Sequence, residues 1–197
     1  MGLGLSIIPR ASFAPLPWKN GGGMTYEAIR RPPMGDPFSW RVSLAQIDSS
    51  GPFSDFTGYD RHMVLLQGQG IALKFDDGEH RVLCKVGDWL QFDGGMPVHC
   101  ELLDGPCMDL NLMVSKSLRA AARLERLGRN LPVDAAQGQI TLIFSLEDAL
   151  SIDAGDGESV RVEPWDLAVL SRGSARLNRI TPDKTAASAV FIAAISQ

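Results

Sequence analysis

Residues 63–95 read MVLLQ-GQG-IALKF-DDGEH-RVLCKV-GD-WLQF-DGG, short apolar runs separated by glycine or Asp-Gly. Gly68-Gln69-Gly70 divides two such runs, and Asp77-Gly78 is a hairpin signal, because tight hairpin turns need residues that tolerate positive φ. Gly87-Asp88 precedes WLQF, and Asp93-Gly94-Gly95 follows it. Strands this short, with turns this frequent, predict an all-β sandwich or small barrel and not βαβ units. Upstream, WRVSLAQI (40–47) alternates, with Trp40, Val42 and Leu44 on one face and Arg41, Ser43 and Ala45 on the other.

A weak internal repeat extends the pattern to two modules. Asp77-Gly78-Glu79 precedes a strand, a Gly-Asp-Trp turn and Gly94. Asp156-Gly157-Glu158 precedes VRV, Pro164-Trp165-Asp166, the run LAVL and Gly173, at the same interval. The apolar runs 64–66 and 142–144 lie near that interval too. The expected division is an N-terminal module at 1–115, a connecting segment at 116–138 and a smaller C-terminal module at 139–197. Within the connecting segment, SLRAAARLERLG (117–128) favours helix by propensity. Its neighbours are all strands, so an edge strand plus linker is the expected form. Residues 182–188 read as a polar loop before a last strand.

The 197 residues are 45% hydrophobic, enough for a sizeable core. A net charge of −4 argues against a nucleic-acid partner, which needs a concentrated basic surface. The longest basic stretch, Arg119 to Arg129, is interrupted by Glu125. Cys84, Cys100 and Cys107 have no metal or disulfide spacing and read as reduced thiols. The start, MGLGLSIIPRASF, lacks a basic n-region, and no run is long enough to span a membrane, so a cytoplasmic location is expected.

The segment Trp18-Lys19-Asn20-Gly21-Gly22-Gly23-Met24-Thr25 is not generic. With WRVS (40–43), GPFSDFTGYDR (51–61) and DLNLM (109–113), it resembles the HutD/Ves family, which opens on WKNGGG-x-T. Thr57 stands where that family usually has proline, and His99 is not one of its motif residues. The resemblance implies a double cupin, often a homodimer, linked to histidine catabolism. There such proteins restrain or tune the pathway, with urocanate or formylglutamate as the implied kind of ligand.

Many cupins hold a metal on about three histidines and a carboxylate. Here the H-x-H pair is missing: Gly58 is followed by Tyr59, Asp60, Arg61 and a single His62. His99 falls one residue late for the second motif, and a one-residue slip turns a strand side chain to the other face. No metal and no other cofactor is expected. Lys19 and Asn20 sit beside glycines that allow close backbone approach. Arg41 and Ser43 share a strand face, and an arginine holds a carboxylate through two parallel hydrogen bonds. Arg61 is a second carboxylate binder. The loop before it reads as a surface loop with Phe53 and Phe56 pinned to the core. Asp109 and Asn111 put polar groups on one face of DLNLM, where burial demands partners. Lys19, Asn20, Arg41, Ser43, Arg61, Asp109 and Asn111 are thus the candidate ligand-binding set. They suit a small anionic metabolite better than turnover, and no catalytic residue is assigned. The second reading is a metal-free isomerase or lyase using Lys19 or Asp109 as acid or base. The third is an interaction module with a vestigial pocket.

Overall fold

In the computed structural model, which describes residues 4–128, 130–133, 138–153, 159–171, 178–183 and 188–197, the glycines at 68, 70 and 78 all mark chain reversals with positive φ. At Gly68 and Gly70 space matters as well. A Cβ on Gly68 would lie 2.4 Å from Cys107 Sγ, and one on Gly70 would lie 2.6 Å from the Leu83 carbonyl.

Among the described residues there are strands and one 3-10 turn (Arg10–Ser12), and no α-helix. Among the described residues no helix is long and apolar enough to cross a membrane. In chain order the strands begin with β1 (Gly4–Ile8), β2 (Ala14–Pro17), β3 (Gly23–Arg31), β4 (Trp40–Ile47), β5 (Gly51–Pro52) and β6 (Tyr59–Gln67). They continue with β7 (Ile71–Phe75), β8 (His80–Leu83), β9 (Trp89–Asp93), β10 (Val98–Leu102), β11 (Cys107–Ser115) and β12 (Arg119–Leu127). The remainder are β13 (Leu131–Val133), β14 (Ile140–Ser145), β15 (Leu150–Asp153), β16 (Ser159–Val162), β17 (Leu167–Ser171), β18 (Asn178–Pro182) and β19 (Ser188–Ser196).

The chain forms two units, Phe13–Ser117 and residues 1–12 with 118–197. The first, the N-terminal sandwich, has sheets β2-β3-β4-β11-β6-β9 and β5-β10-β7-β8. The register aligns Arg41, Ser43 and Ala45 with Met113, Asn111 and Asp109, and these with Arg61, Met63 and Leu65. Paired residues of an antiparallel sheet point to one face. Here that is the inner face, since Met63 and Leu65 pack with Ile71, Leu73, Leu83, Val98 and Cys100 of the second sheet.

The C-terminal sandwich has sheets β1-β17-β14-β19-β12 and β13-β18-β15-β16. Its strand order repeats that of the first. The run β4-β11-β6-β9 becomes β12-β19-β14-β17, and β5-β10-β7-β8 becomes β13-β18-β15-β16. The duplication read from turn spacing is therefore present as topology, although Asp156-Gly157-Glu158 and Gly173 lie outside the described residues. The core of this unit joins Ile143, Ala168, Leu170, Val190 and Ile192 to Leu150, Ile152, Val162 and Ile180.

The boundaries differ from those expected at 1–115, 116–138 and 139–197. Residues 4–8 form the edge strand of the C-terminal sheet, from Gly4 opposite Ser171 to Ile8 opposite Leu167. Residues 119–127 of the expected connecting segment are β12, paired along its whole length with β19. Its alanine-rich helix propensity is a weak preference, and the hydrogen bonds and packing offered by β19 override it. Leu127, at its end, is buried in the core.

Candidate functional site

The WKNGGG segment makes the turn between β2 and β3. The Trp18 amide donates to the Gly23 carbonyl (3.0 Å), and the Gly21 amide donates to the Trp18 carbonyl (3.0 Å). Gly21 has φ 71°. The third glycine is needed for space: a Cβ on Gly23 would lie 2.2 Å from the Gln46 carbonyl and 3.1 Å from the Trp18 ring. The indole is fixed by Nε1 donating to Thr25 Oγ1 at 2.8 Å. The turn thus holds Lys19 and Asn20, both exposed, at the rim of a cavity of about 480 Å³ in the N-terminal sandwich.

All seven candidate residues line this cavity: Lys19, Asn20, Arg41, Ser43, Arg61, Asp109 and Asn111. Arg61, Asp109 and Asn111 form its floor and are 5%, 1% and 3% exposed. They are joined in series. Arg61 Nη2 donates to Asn111 Oδ1 at 2.7 Å, and Asn111 Nδ2 donates to Asp109 Oδ1. Arg41 is half-buried beside them. It faces Glu27 at 3.9 Å, and its Nη2 lies 3.4 Å from Met113 Sδ.

Aromatic rings wall both guanidinium groups. Arg61 lies 5.0–5.6 Å from the ring centres of Phe53, Phe56 and Phe92, and Arg41 lies 5.2 Å from Phe38 and Phe56. Such contacts favour a cation while excluding water. Burial lowers the Arg61 pKa to about 10, with Asp109 opposing and Arg41 adding to the drop, so the group stays charged at neutral pH. Burial also lowers that of Arg41, against the pull of Glu27. Burial pushes the Asp109 carboxyl up to about 7, with Arg61 opposing. Among the described residues, Nε of Arg41, Nε of Arg61 and Oδ2 of Asp109 are buried with no hydrogen-bond partner.

Asn20 spends its Oδ1 on the Gly22 amide at 3.0 Å, stabilising the turn. The acid beside Arg41 is Glu27 of β3, while Asp109 connects to Arg61 through Asn111. Sequence reading missed Glu27 and the roles of Phe53, Phe56 and Phe92. An aromatic in a loop before a strand reads as a core anchor, and nothing in the spacing says that the anchor is a guanidinium. His62 is buried but points to the opposite sheet face from Arg61, stacked on Trp89 with ring centres 6.4 Å apart. His80 and His99 are exposed.

Oxalate decarboxylase of Bacillus subtilis, 7% identical, aligns with a TM-score of 0.64 over 97% of this chain and 77% of its own, which makes the paired sandwiches a double cupin. The metal that the cupin fold often holds does not fit these residues. The floor presents a guanidinium, an amide and one carboxylate, and a fixed cation repels a second one. Among the described residues no three His, Cys, Asp or Glu converge as ligands.

Other likenesses are specific. A protein of Pseudomonas putida named for its place 3′ of hutC is 41% identical over 163 residues, covering 82% of this chain and 84% of its own. Protein Ves of Cronobacter sakazakii is 35% identical over 129 residues, covering 65% of this chain and 70% of its own. The solved structure of HutD from Pseudomonas fluorescens is 30% identical with a TM-score of 0.79, covering 98% of both chains. The family model HutD matches residues 10–189, and the chain belongs to the HutD family.

Proposed function

We propose that this chain is a cytoplasmic regulatory protein that binds a small carboxylate in its N-terminal cupin and thereby tunes histidine utilization. The observation that carries this reading is Arg61, a buried guanidinium that lines the cavity with no ion pair and no hydrogen-bond partner for its Nε among the described residues. An unpaired buried charge is costly, and an anionic ligand would offset that cost. Arg41 adds a second free Nε, and Lys19 waits at the rim. The aromatic walls lower the local dielectric around each guanidinium, which strengthens electrostatic contacts there. Pathway intermediates such as urocanate and formylglutamate suit the chemistry, and the P. putida relative beside hutC points the same way.

A second reading has one observation in its favour. Asp109 has a free oxygen and titrates near neutrality, which suits an acid/base role in a metal-free isomerase or lyase. Turnover of urocanate or formylglutamate by chelator-treated protein would select it.

The test of binding is a thermal-shift and calorimetry series on chelator-treated protein. A ligand at a hundred times its Kd stabilises the folded state by about 2.7 kcal/mol, which for this size is a rise of roughly 5–10 °C. Absence of any shift or heat with millimolar urocanate, formylglutamate or similar carboxylates would overturn the reading.

A further inference from the structure

The cavity floor carries one positive and one negative group when both Arg61 and Asp109 are ionised, and these nearly cancel. Asn111 keeps them apart, so the carboxylate does not consume the guanidinium's free edge. Asp109 lines the cavity with one oxygen fixed by Asn111 and the other, Oδ2, buried and without a hydrogen-bond partner among the described residues. A ligand carboxylate settling on Arg61 would stand close to that oxygen. Two carboxylates close together in a partly buried site raise each other's pKa, which favours the form in which one of them holds a proton.

The other groups around Asp109 do not relieve this. From β6 comes Arg61, already engaged. From β4 come neutral Ala45 and Ser43, and farther along Arg41, faced by Glu27 of β3. From β10 comes the Cys100 thiol, which burial and Asp109 push up to about 12, so it stays protonated. Cys107 of β11 directs its Sγ to the Gly70 carbonyl. Lys19 lies at the rim.

We propose that the cavity takes up its anion together with one proton, carried on Asp109 Oδ2 and donated as a hydrogen bond to the ligand's carboxylate. The balance is one anion and one solvent proton in, with no bond broken in the ligand. Protonation converts a floor of no net charge into one of charge +1 and gives the orphan oxygen a partner. Because the carboxyl already titrates near neutrality, little free energy is needed to load it at physiological pH. The inference rests on the carboxylate-binding reading and adds to it a proton as second ligand. Affinity then rises as pH falls.

Formylglutamate is the probe, because its own carboxyls do not titrate between pH 6 and 9. Calorimetry on the full chain, in buffer pairs of different ionisation enthalpy, counts protons. The expected result is uptake of nearly one proton per ligand at pH 8 and almost none at pH 6. Kd should weaken about tenfold per pH unit above pH 7. In Asp109→Asn the carboxamide keeps a donor at every pH, so uptake should vanish and affinity stay flat from pH 6 to 9. Binding by the unaltered protein with no uptake and a pH-independent Kd overturns the proton coupling alone. Uptake that persists in Asp109→Asn assigns the proton elsewhere and also overturns it. No heat at any pH, with urocanate as well as formylglutamate, overturns the carboxylate-binding reading and this inference with it.

Discussion

The two cupins have the same strand order but different interiors. The ladder registers give the correspondence. Asn111 stands between Ser43 and Met63, and Ile192 stands between Arg123 and Ile143 in the other unit. By the same count Asp109 matches Val190, and Arg61 matches Thr141. Where the N-terminal unit has a guanidinium, an amide and a carboxyl in series, the C-terminal unit has a hydroxyl and two aliphatic chains. Val190 and Ile192 belong to a continuous apolar core. The fold therefore supplies equivalent positions, and three side chains decide whether the interior is a site or a core.

Exchanging residues across this correspondence should show the difference, with the largest effect in the C-terminal unit. Ile192→Asn puts the amide of Asn111 where no partner chain has been built. It loses aliphatic packing and buries an unsatisfied amide, at a cost of about 3–5 kcal/mol. For a chain of this size that lowers the melting temperature by roughly 10 °C. Urea and thermal melts measure it. A shift under 2 °C would mean that this interior tolerates polar groups as well as the other does, and the contrast would fail.

The opposite exchange targets binding. Arg61→Met removes the buried cation but keeps a long apolar side chain. Two charge-assisted hydrogen bonds at roughly 1.5–3 kcal/mol each are lost, so carboxylate affinity should fall at least a hundredfold. Stability should change less than affinity, because relief of the guanidinium's desolvation is offset by about 1–3 kcal/mol for Asn111 Oδ1, which loses its donor. Arg41→Ala should cost about ten- to a hundredfold, with Arg41→Lys restoring only part, since an ammonium lacks the planar fork. Calorimetry and melting curves on the same variants separate the two effects. Normal affinity in folded Arg61→Met would remove the floor from the site.

Much of this contrast was legible in the sequence. Alternation in WRVSLAQI and DLNLM placed Arg41, Ser43, Asp109 and Asn111 on one face, because strand period two is rigid. The glycine turns gave the all-β class for the same reason. The partnerships were not legible. That Asn111 would bridge Arg61 to Asp109 depends on which strands are neighbours, and β6 and β11 lie far apart in sequence, while the approach of Glu27 to Arg41 depends on the register of β3 on β4, which shifts between Glu27 and Ile29. Nor could residues 4–8 be assigned to the C-terminal sheet, since an apolar N-terminal pentapeptide carries no register information until β17 is placed beside it.

The smallest effect concerns the other face of β6. His62 is the counterpart of Leu142 by register, and both are buried. Burial lowers the His62 pKa below its ordinary 6.5, with Asp60 opposing, and neither ring nitrogen has a hydrogen-bond partner among the described residues. In the folded state the imidazole therefore resists a proton that the unfolded chain accepts. Its contribution is intact above the unfolded value and is lost as pH falls through about 6.5 towards the lowered folded value, with a slope of at most about 1.4 kcal/mol per pH unit. Asp109 has the opposite sign. Its folded pKa, about 7, lies above its unfolded value, so its contribution grows as pH falls below about 7. The two partly cancel in the unaltered protein, and a single pH profile would hide both. Variants separate them. His62→Leu, which borrows the residue of the C-terminal unit, should gain stability relative to the unaltered protein at pH 5.5 more than at pH 7.5. Asp109→Asn should show its advantage at pH 7.5 and lose it by pH 5.5. Urea melts at the two pH values measure both differences. If the His62→Leu difference were the same at both, the buried imidazole would not be the acid-sensitive group of this sheet.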